Sequence, residues 1–319
     1  MEELTMKKLK HPRKVFSRIG LSLFVYFVAV YSSVILLDFL VSKFLPDLYF
    51  HDTYIWIKMV VCQYIIGIPA IRLVLIGLPT YRYQKEKMSF TDIFGAFLIC
   101  QALAYAGNLI GTVLNSIISG ILGKEIENTV NDLIENSNPF ILILVVGIMG
   151  PILEELVFRR FIIDRIRPYG EFLAVMFSAL TFGMFHGNFY QLFYAFAIGF
   201  ILGFIYVRTK NIIYPIILHM TFNSFSVIQQ AFLTASKSFQ SIKIVSYIFT
   251  GLYYMMIAAS LALTVLGVIK LIKSIRKFYF IKNYYELSIG KAILYSFVNV
   301  GMILFSITVL VEFALSIFM

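Results

Sequence analysis

The chain has 319 residues, 60% of them hydrophobic and 14% charged, with a mean hydropathy of +0.86. Soluble domains are about half apolar and about a quarter charged, so a single soluble core is excluded. The net charge of +10 falls on alternate loops between apolar runs, which excludes a continuous nucleic-acid surface and points instead to membrane topology.

Nine apolar runs of span length follow one another: 19–40, 55–77, 93–119, 140–163, 171–188, 190–207, 211–230, 244–269 and 291–318. The predicted fold class is all-α, a polytopic transmembrane helical bundle of about eight to nine spans. The first run is too long for a signal-peptide core and has no small-residue cleavage site after it, so it is read as a retained span. Lys7, Lys8, Lys10, Arg13, Lys14 and Arg18 precede it, and Arg82, Lys85 and Lys87 follow the second run. Arg159, Arg160, Arg165 and Arg167 close the fourth run, Arg208 and Lys210 the sixth, and Lys270, Lys273, Arg276, Lys277 and Lys282 follow the eighth. The opposite loops are poor in Lys and Arg, and the one before the fourth run carries Glu125, Glu127, Asp132 and Glu135. The positive-inside rule then places the N-terminus in the cytoplasm and the C-terminus outside. The Lys/Ile/Phe/Tyr-rich usage suits a bacterial cell membrane.

The chain divides into a cytoplasmic basic N-terminus (1–18), N-terminal transmembrane helices with an outer loop (19–139), a core rich in intramembrane polar residues (140–230) and C-terminal transmembrane helices (231–319). Ile126, Val130, Leu133 and Ile134 predict a short interfacial helix in the acidic loop. Small residues four apart, Gly107 and Gly111, Gly183 and Gly187, Gly199 and Gly203, predict close helix approach. Cys62 and Cys100 lie inside apolar runs and read as buried free thiols. A basic, aromatic linker from Lys270 to Tyr285 sets the last run apart.

Charges at membrane depth are costly and mark function by default. Asp38, Lys58 and Arg72 lie near run ends, where they can snorkel or reach headgroups. Glu154 and Glu155 do not. With the fourth helix running on to Arg165 or Arg167, Glu154 lies about 17–20 Å from that end at about 1.5 Å per residue. Pro151 removes a backbone bond just before them, which leaves the Gly147 carbonyl without its partner and predicts a kink. Adjacent helix positions point about 100° apart, so the two carboxylates are expected to differ in role. Glu155 and Arg159 are an i,i+4 pair. Glu154 has no basic residue three or four positions away and is the candidate general base.

The chain has four histidines, of which His186 and His219 lie in predicted spans. His219 and Asn223 are i,i+4 and share a helix face. One carboxylate, two imidazoles and one carboxamide on three separate helices resemble a site for activating water.

At these residues the sequence resembles the CPBP intramembrane proteases, the group that includes the eukaryotic CAAX prenyl endopeptidase and the bacterial bacteriocin-processing and Abi proteins. That pattern is E-E-x-x-x-R, F-x-x-x-H and H-x-x-x-N or -D; here it reads Glu154-Glu155 to Arg159, Phe182 to His186, and His219 to Asn223. The resemblance covers roughly 140–230, and Arg160 stands where the family often has Gly. It implies a CAAX-protease-like core and a peptide-bond hydrolase. Glu154 would be the general base, assisted by His186. His219 and Asn223 would stabilise the oxyanion, Glu155 and Arg159 would hold the helix, and Phe182 would pack.

Metal dependence stays open, with no cofactor favoured. If zinc or another divalent metal binds, Glu154, His186 and His219 are its ligands, although no H-E-x-x-H pair is present. The expected partners are a hydrophobic or lipidated peptide substrate and the lipid bilayer, not nucleic acid; the oligomeric state is not legible. Bacteriocin or pheromone maturation, or self-immunity, would suit such an enzyme. A non-enzymatic membrane scaffold or immunity protein and a proton-coupled transporter are the competing readings; against the transporter, the sequence shows no repeated halves.

Overall fold

The structure, a computed structural model, describes residues 10–51, 53–80, 84–126, 128, 137–282 and 285–318. All regular structure among them is helical. The long elements are α1 (Pro12–Phe44), α2 (Tyr54–Leu75), α3 (Phe90–Leu122), α4 (Pro139–Tyr169), α5 (Glu171–Phe185), α6 (Phe189–Thr209), α7 (Ile213–Ser238), α8 (Lys243–Lys277), α9 (Ile289–Phe297) and α10 (Val300–Phe318). This is a multi-pass helical membrane protein.

Each of the nine apolar runs coincides with helix, but among the described residues 7 helices are both long and apolar enough to cross a bilayer. The two that fall short are the ones that carry the histidine motifs. Helix α5 has 15 residues and stops at Phe185, one residue before His186. Helix α7 has 26 residues, but His219, Asn223, Ser224, Gln229 and Gln230 lower its hydropathy. The run predicted at 291–318 is not one span. It breaks between α9 and α10, because the Asn299 side chain competes with the helical backbone. Asn299 Oδ1 accepts from the Met302 amide at 3.0 Å, and its Nδ2 donates to the carbonyls of Tyr295 and Ser296. Val130, Leu133 and Ile134 of the predicted interfacial helix, and the charges of Lys7, Lys8, Arg82, Glu127, Asp132 and Glu135, lie outside the described residues.

The chain divides into two compact units, and the boundary in α4 falls between Glu155 and Leu156. The first unit comprises 1–84, 156–178 and 280–312. There, Gly20 of α1 lies against the backbone of Gly301 and Met302, with no room for a Cβ. Phe16 meets Phe177 edge-on at 5.0 Å. Arg159 is fully buried and donates to Ser178 Oγ at 2.8 Å. Asp38 and Lys58 do not simply snorkel: they pair at 3.0 Å, and the Tyr54 hydroxyl donates to Asp38 at 2.7 Å. Arg72, near the end of α2, is exposed. Cys62 is buried and free.

The second unit comprises 85–155, 179–279 and 313–319. Its core joins Ala96, Phe97, Cys100 and Ala104 of α3 to Ile198, Ile201, Leu202 and Ile205 of α6 and Leu218 of α7. Gly107, Gly111 and Gly183 sit at backbone contacts. A Cβ on Gly107 would fall 2.5 Å from the backbone of Tyr194, and one on Gly111 2.5 Å from the carbonyl oxygen of Phe189. Gly183 of α5 lies against the Leu192 carbonyl of α6 in the same way. Gly187 instead adopts φ 66° and makes the turn between α5 and α6. The start of α6 is thereby pressed against the end of α5 and the middle of α3.

Helix α4 answers Pro151 with wide turns. A π-helical stretch, Ile143–Met149, precedes the proline-bearing segment Gly150–Glu155, and a second, Leu156–Ile163, follows it. Such π turns recur at functional sites. The freed carbonyls are met from α7: Ser224 Oγ lies 3.4 Å from the Gly147 oxygen, and Asn223 Nδ2 donates to Val146 at 3.1 Å.

Candidate active site

Glu154, Glu155, Phe182, His186, His219 and Asn223 all lie in the second unit, on α4, at the end of α5 and on α7. Arg159 lies in the first.

Helix α7 places His219 beside both carboxylates. Its Nδ1 is 3.0 Å from Glu155 Oε1, and its Nε2 is 3.7 Å from Glu154 Oε2. The first is a hydrogen bond, with Nδ1–H donating to the carboxylate. The second is an ion-pair distance, too long for a direct hydrogen bond. Sequence spacing had separated the two glutamates; an imidazole can serve both because its nitrogens lie on different edges of the ring. Their surroundings differ. The Glu155 side chain is 0% exposed, whereas that of Glu154 is 29% exposed. Glu155 is thus an internal anchor, and Glu154 is the carboxylate that a water or substrate can reach.

His186 follows the last residue of α5. Its Nδ1 lies 2.8 Å from the carbonyl oxygen of Phe182, one turn back. A carbonyl only accepts, so Nδ1 carries the proton and Nε2 keeps its lone pair. The Phe182 ring stands edge-on to both imidazoles, 5.0 Å from His186 and 5.8 Å from His219, and is buried. Expected to pack, it also spaces the two histidines. The early stop of α5 and the turn at Gly187 let the two histidines share Phe182.

Asn223 lies one turn beyond His219, and one of its two amide hydrogens is engaged by the Val146 carbonyl. Its other amide hydrogen points to no protein acceptor among the described residues. The sequence reading missed Ser224, which follows Asn223 and meets the carbonyl that Pro151 frees. It also missed Asn188, whose Oδ1 caps α6 by accepting from Gln191 N at 2.9 Å. The Asn-x-x-Gln spacing before an apolar run is a recognisable cap signal.

Among the described residues, no three His, Cys, Asp or Glu side chains are placed to hold one metal ion. His219 commits Nδ1 to Glu155.

Comparison with known proteins bears on this segment. Residues 136–225 match the family described as Type II CAAX prenyl endopeptidase Rce1-like. The chain is 35% identical over 112 residues to "Putative membrane peptidase YdiL" of Bacillus subtilis (strain 168), covering 34% of this chain and 45% of that protein. It is 34% identical over 97 residues to "Membrane-embedded CAAX protease MroQ" of Staphylococcus aureus (strain USA300), covering 28% of this chain and 39% of that one. The chain thus spans less than half the length of either relative. No solved structure matches it.

Proposed function

With an Rce1-like CAAX protease domain at residues 136–225, we propose that this protein is an intramembrane endopeptidase that cleaves a membrane-associated or hydrophobic peptide. The observation that carries the reading is His219 set between an enclosed Glu155 and a reachable Glu154. The N-terminus is cytoplasmic in this reading, and the host membrane is a bacterial cell membrane.

Glu154 takes a proton from a water as its oxygen attacks the scissile carbonyl carbon. His186 Nε2, whose lone pair is free because Nδ1 donates to Phe182, holds the same water. The carbonyl π electrons move to oxygen, which gives a tetrahedral oxyanion. The second amide hydrogen of Asn223 and an imidazolium form of His219, held by Glu155 at Nδ1, stabilise it. Glu154 then returns its proton to the leaving nitrogen as the C–N bond breaks. Preorganised donors of this kind are worth about 10²–10³ in kcat each. No step passes through a metal. Small peptides such as a bacteriocin or pheromone precursor, cut for maturation or self-protection, are the substrate class of this reading.

The test is incubation of the liposome-reconstituted protein with a panel of hydrophobic and lipidated peptides, with and without a chelator, read by mass spectrometry. The reading predicts fragment pairs whose masses sum to the substrate plus one water, unchanged by the chelator. Cleavage lost with the chelator and restored by a divalent metal would overturn the metal-free mechanism. Intact peptides throughout would overturn the protease.

A further inference from the structure

Helix α10 carries one ionisable side chain, Glu312, and the mechanism above does not use it. The helix has 19 residues. That is about 28 Å at about 1.5 Å per residue, close to the thickness of the hydrocarbon core. Glu312 lies six residues before Phe318, the last residue of the helix, and so about 9 Å inside that end. A carboxyl group at such depth is costly, and in membrane proteins it ordinarily faces the bundle interior or a wet cavity and is paired. Glu312 is placed differently.

It sits on the seam between α1 and α10, within the first unit. Near their N-terminal ends the two helices touch backbone to backbone. Gly20 lies against Gly301 and Met302, and Gly301 lies against the Ser17 carbonyl. Further along, the rings of Phe27 and Phe305 are 6.4 Å apart. Tyr31 follows Gly20, and Glu312 follows Gly301, at the same sequence distance, so these parallel helices bring the two side chains level. The Tyr31 hydroxyl donates to Glu312 Oε1. The Tyr31 ring also stacks on Phe27 at 6.5 Å, which fixes where that hydroxyl points. The pair is at the surface of the bundle. Tyr31 is 44% exposed, its neighbours on the same face, Val28 and Ile35, are exposed as well, and Glu312 is half-buried. At this depth that surface meets lipid.

The contact does not satisfy both partners. With Glu312 ionised, one hydroxyl meets one carboxylate oxygen, and no ammonium or guanidinium among the described residues pairs with the charge. With Glu312 protonated, the contact serves only one of two O–H groups. Either way a polar group is left over on a face where lipid cannot bond to it. A cation on a neighbouring helix, level with Glu312, would complete the ionised form while Tyr31 keeps its hydrogen bond. We propose that the Tyr31–Glu312 seam is a docking site for a transmembrane helix of a partner protein that presents a Lys or Arg at this depth. A second copy of this chain is the poorer occupant. A twofold contact here sets carboxyl against carboxyl. The nearby cations are also committed elsewhere: Lys58 to Asp38, and Lys43, at the far end of α1, to the rings of Phe39 and Phe44. The proposal does not depend on the protease reading.

The probe is a synthetic leucine-rich transmembrane peptide with a single Lys at the depth of Glu312. It is compared with an all-leucine peptide and with one whose Lys is moved two turns along the helix. Labelled peptide and labelled full-length chain are reconstituted together in liposomes, and association is read by energy transfer. The matched-Lys peptide should bind wild type about five- to thirtyfold more tightly than the all-leucine peptide, the range for a polar contact between model membrane helices. The displaced-Lys peptide should show no such gain. Glu312→Gln and Glu312→Leu should both abolish the preference, whereas Tyr31→Phe, which keeps the carboxylate, should retain it. Equal association of all three peptides with wild type overturns the proposal, as does a preference that survives in Glu312→Gln. Energy transfer between two labelled copies of the chain, lost in Glu312→Leu and unaccompanied by any preference for the matched-Lys peptide, would assign the seam to self-association and overturn it too. Should the Glu312 variants fail to fold, the three peptides against wild type decide alone.

Discussion

Glu155 Oε1 lies 3.0 Å from His219 Nδ1, and the Glu155 side chain is fully enclosed. This contact joins α4 to α7 across 64 residues of sequence. It turns the other ring nitrogen toward Glu154, which is the partly exposed member of the pair. A carboxylate that orients an imidazole, and an imidazole that faces a second carboxylate, give two adjacent glutamates separate tasks.

Replacing Glu155 with leucine should therefore cost more than packing. It leaves Nδ1–H of His219 buried without an acceptor, a loss of about 1–3 kcal/mol. The expected outcome is a lowered melting temperature in detergent and at least a tenfold drop in cleavage, as His219 loses its orientation. Glu155→Gln keeps an acceptor oxygen and should melt close to wild type. Equal melting and equal cleavage by Glu155→Leu and wild type would show that this hydrogen bond is not formed.

The approach of α3 to α6 makes a contrast between two glycines. A Cβ on Gly107 would fall 2.5 Å from the Tyr194 backbone, whereas one on Gly120 meets nothing within 4 Å. Gly107→Ala should destabilise the protein by about 1–3 kcal/mol, because backbone rather than a flexible side chain must move. Gly120→Ala should be neutral or slightly stabilising, since alanine is the better helix former. Thermal melts of the two variants side by side are the check.

Asn299 holds the break between α9 and α10. Its carbonyl oxygen caps α10 at the Met302 amide, and its amide closes the end of α9. Asn299→Ala should cost about 1 kcal/mol and expose the first amides of α10 to faster hydrogen exchange. Unchanged exchange at Gly301 and Met302 would show that the break is set by packing instead.

Much of the fold is legible in the sequence, because long apolar runs flanked by basic clusters leave few alternatives to membrane helices. The break at Asn299 was not, since a lone Asn in an apolar run reads equally well as a packed polar residue. The site residues were legible as motifs. Their partners were only partly so: spacing offered Arg159 as the partner of Glu155, but it could not offer His219, which comes from a distant helix. The argument that adjacent residues point about 100° apart also assumed regular α-helix. Helix α4 departs from it on both sides of Pro151. The polarity of α7 and the short length of α5 were readable, but treating every apolar run as a full span hid their meaning. Helix α7 falls short as a span through the polar residues around His219, and α5 through its early stop just before His186.

The central claim is that Glu154 is the base, and Glu154→Gln tests it most directly. The substitution preserves volume and hydrogen-bonding shape while removing the ability to take a proton. Cleavage of a hydrophobic peptide by the reconstituted variant should fall by at least about 10²-fold, with a melting temperature close to wild type. Cleavage at the wild-type rate by a folded Glu154→Gln protein would contradict the account.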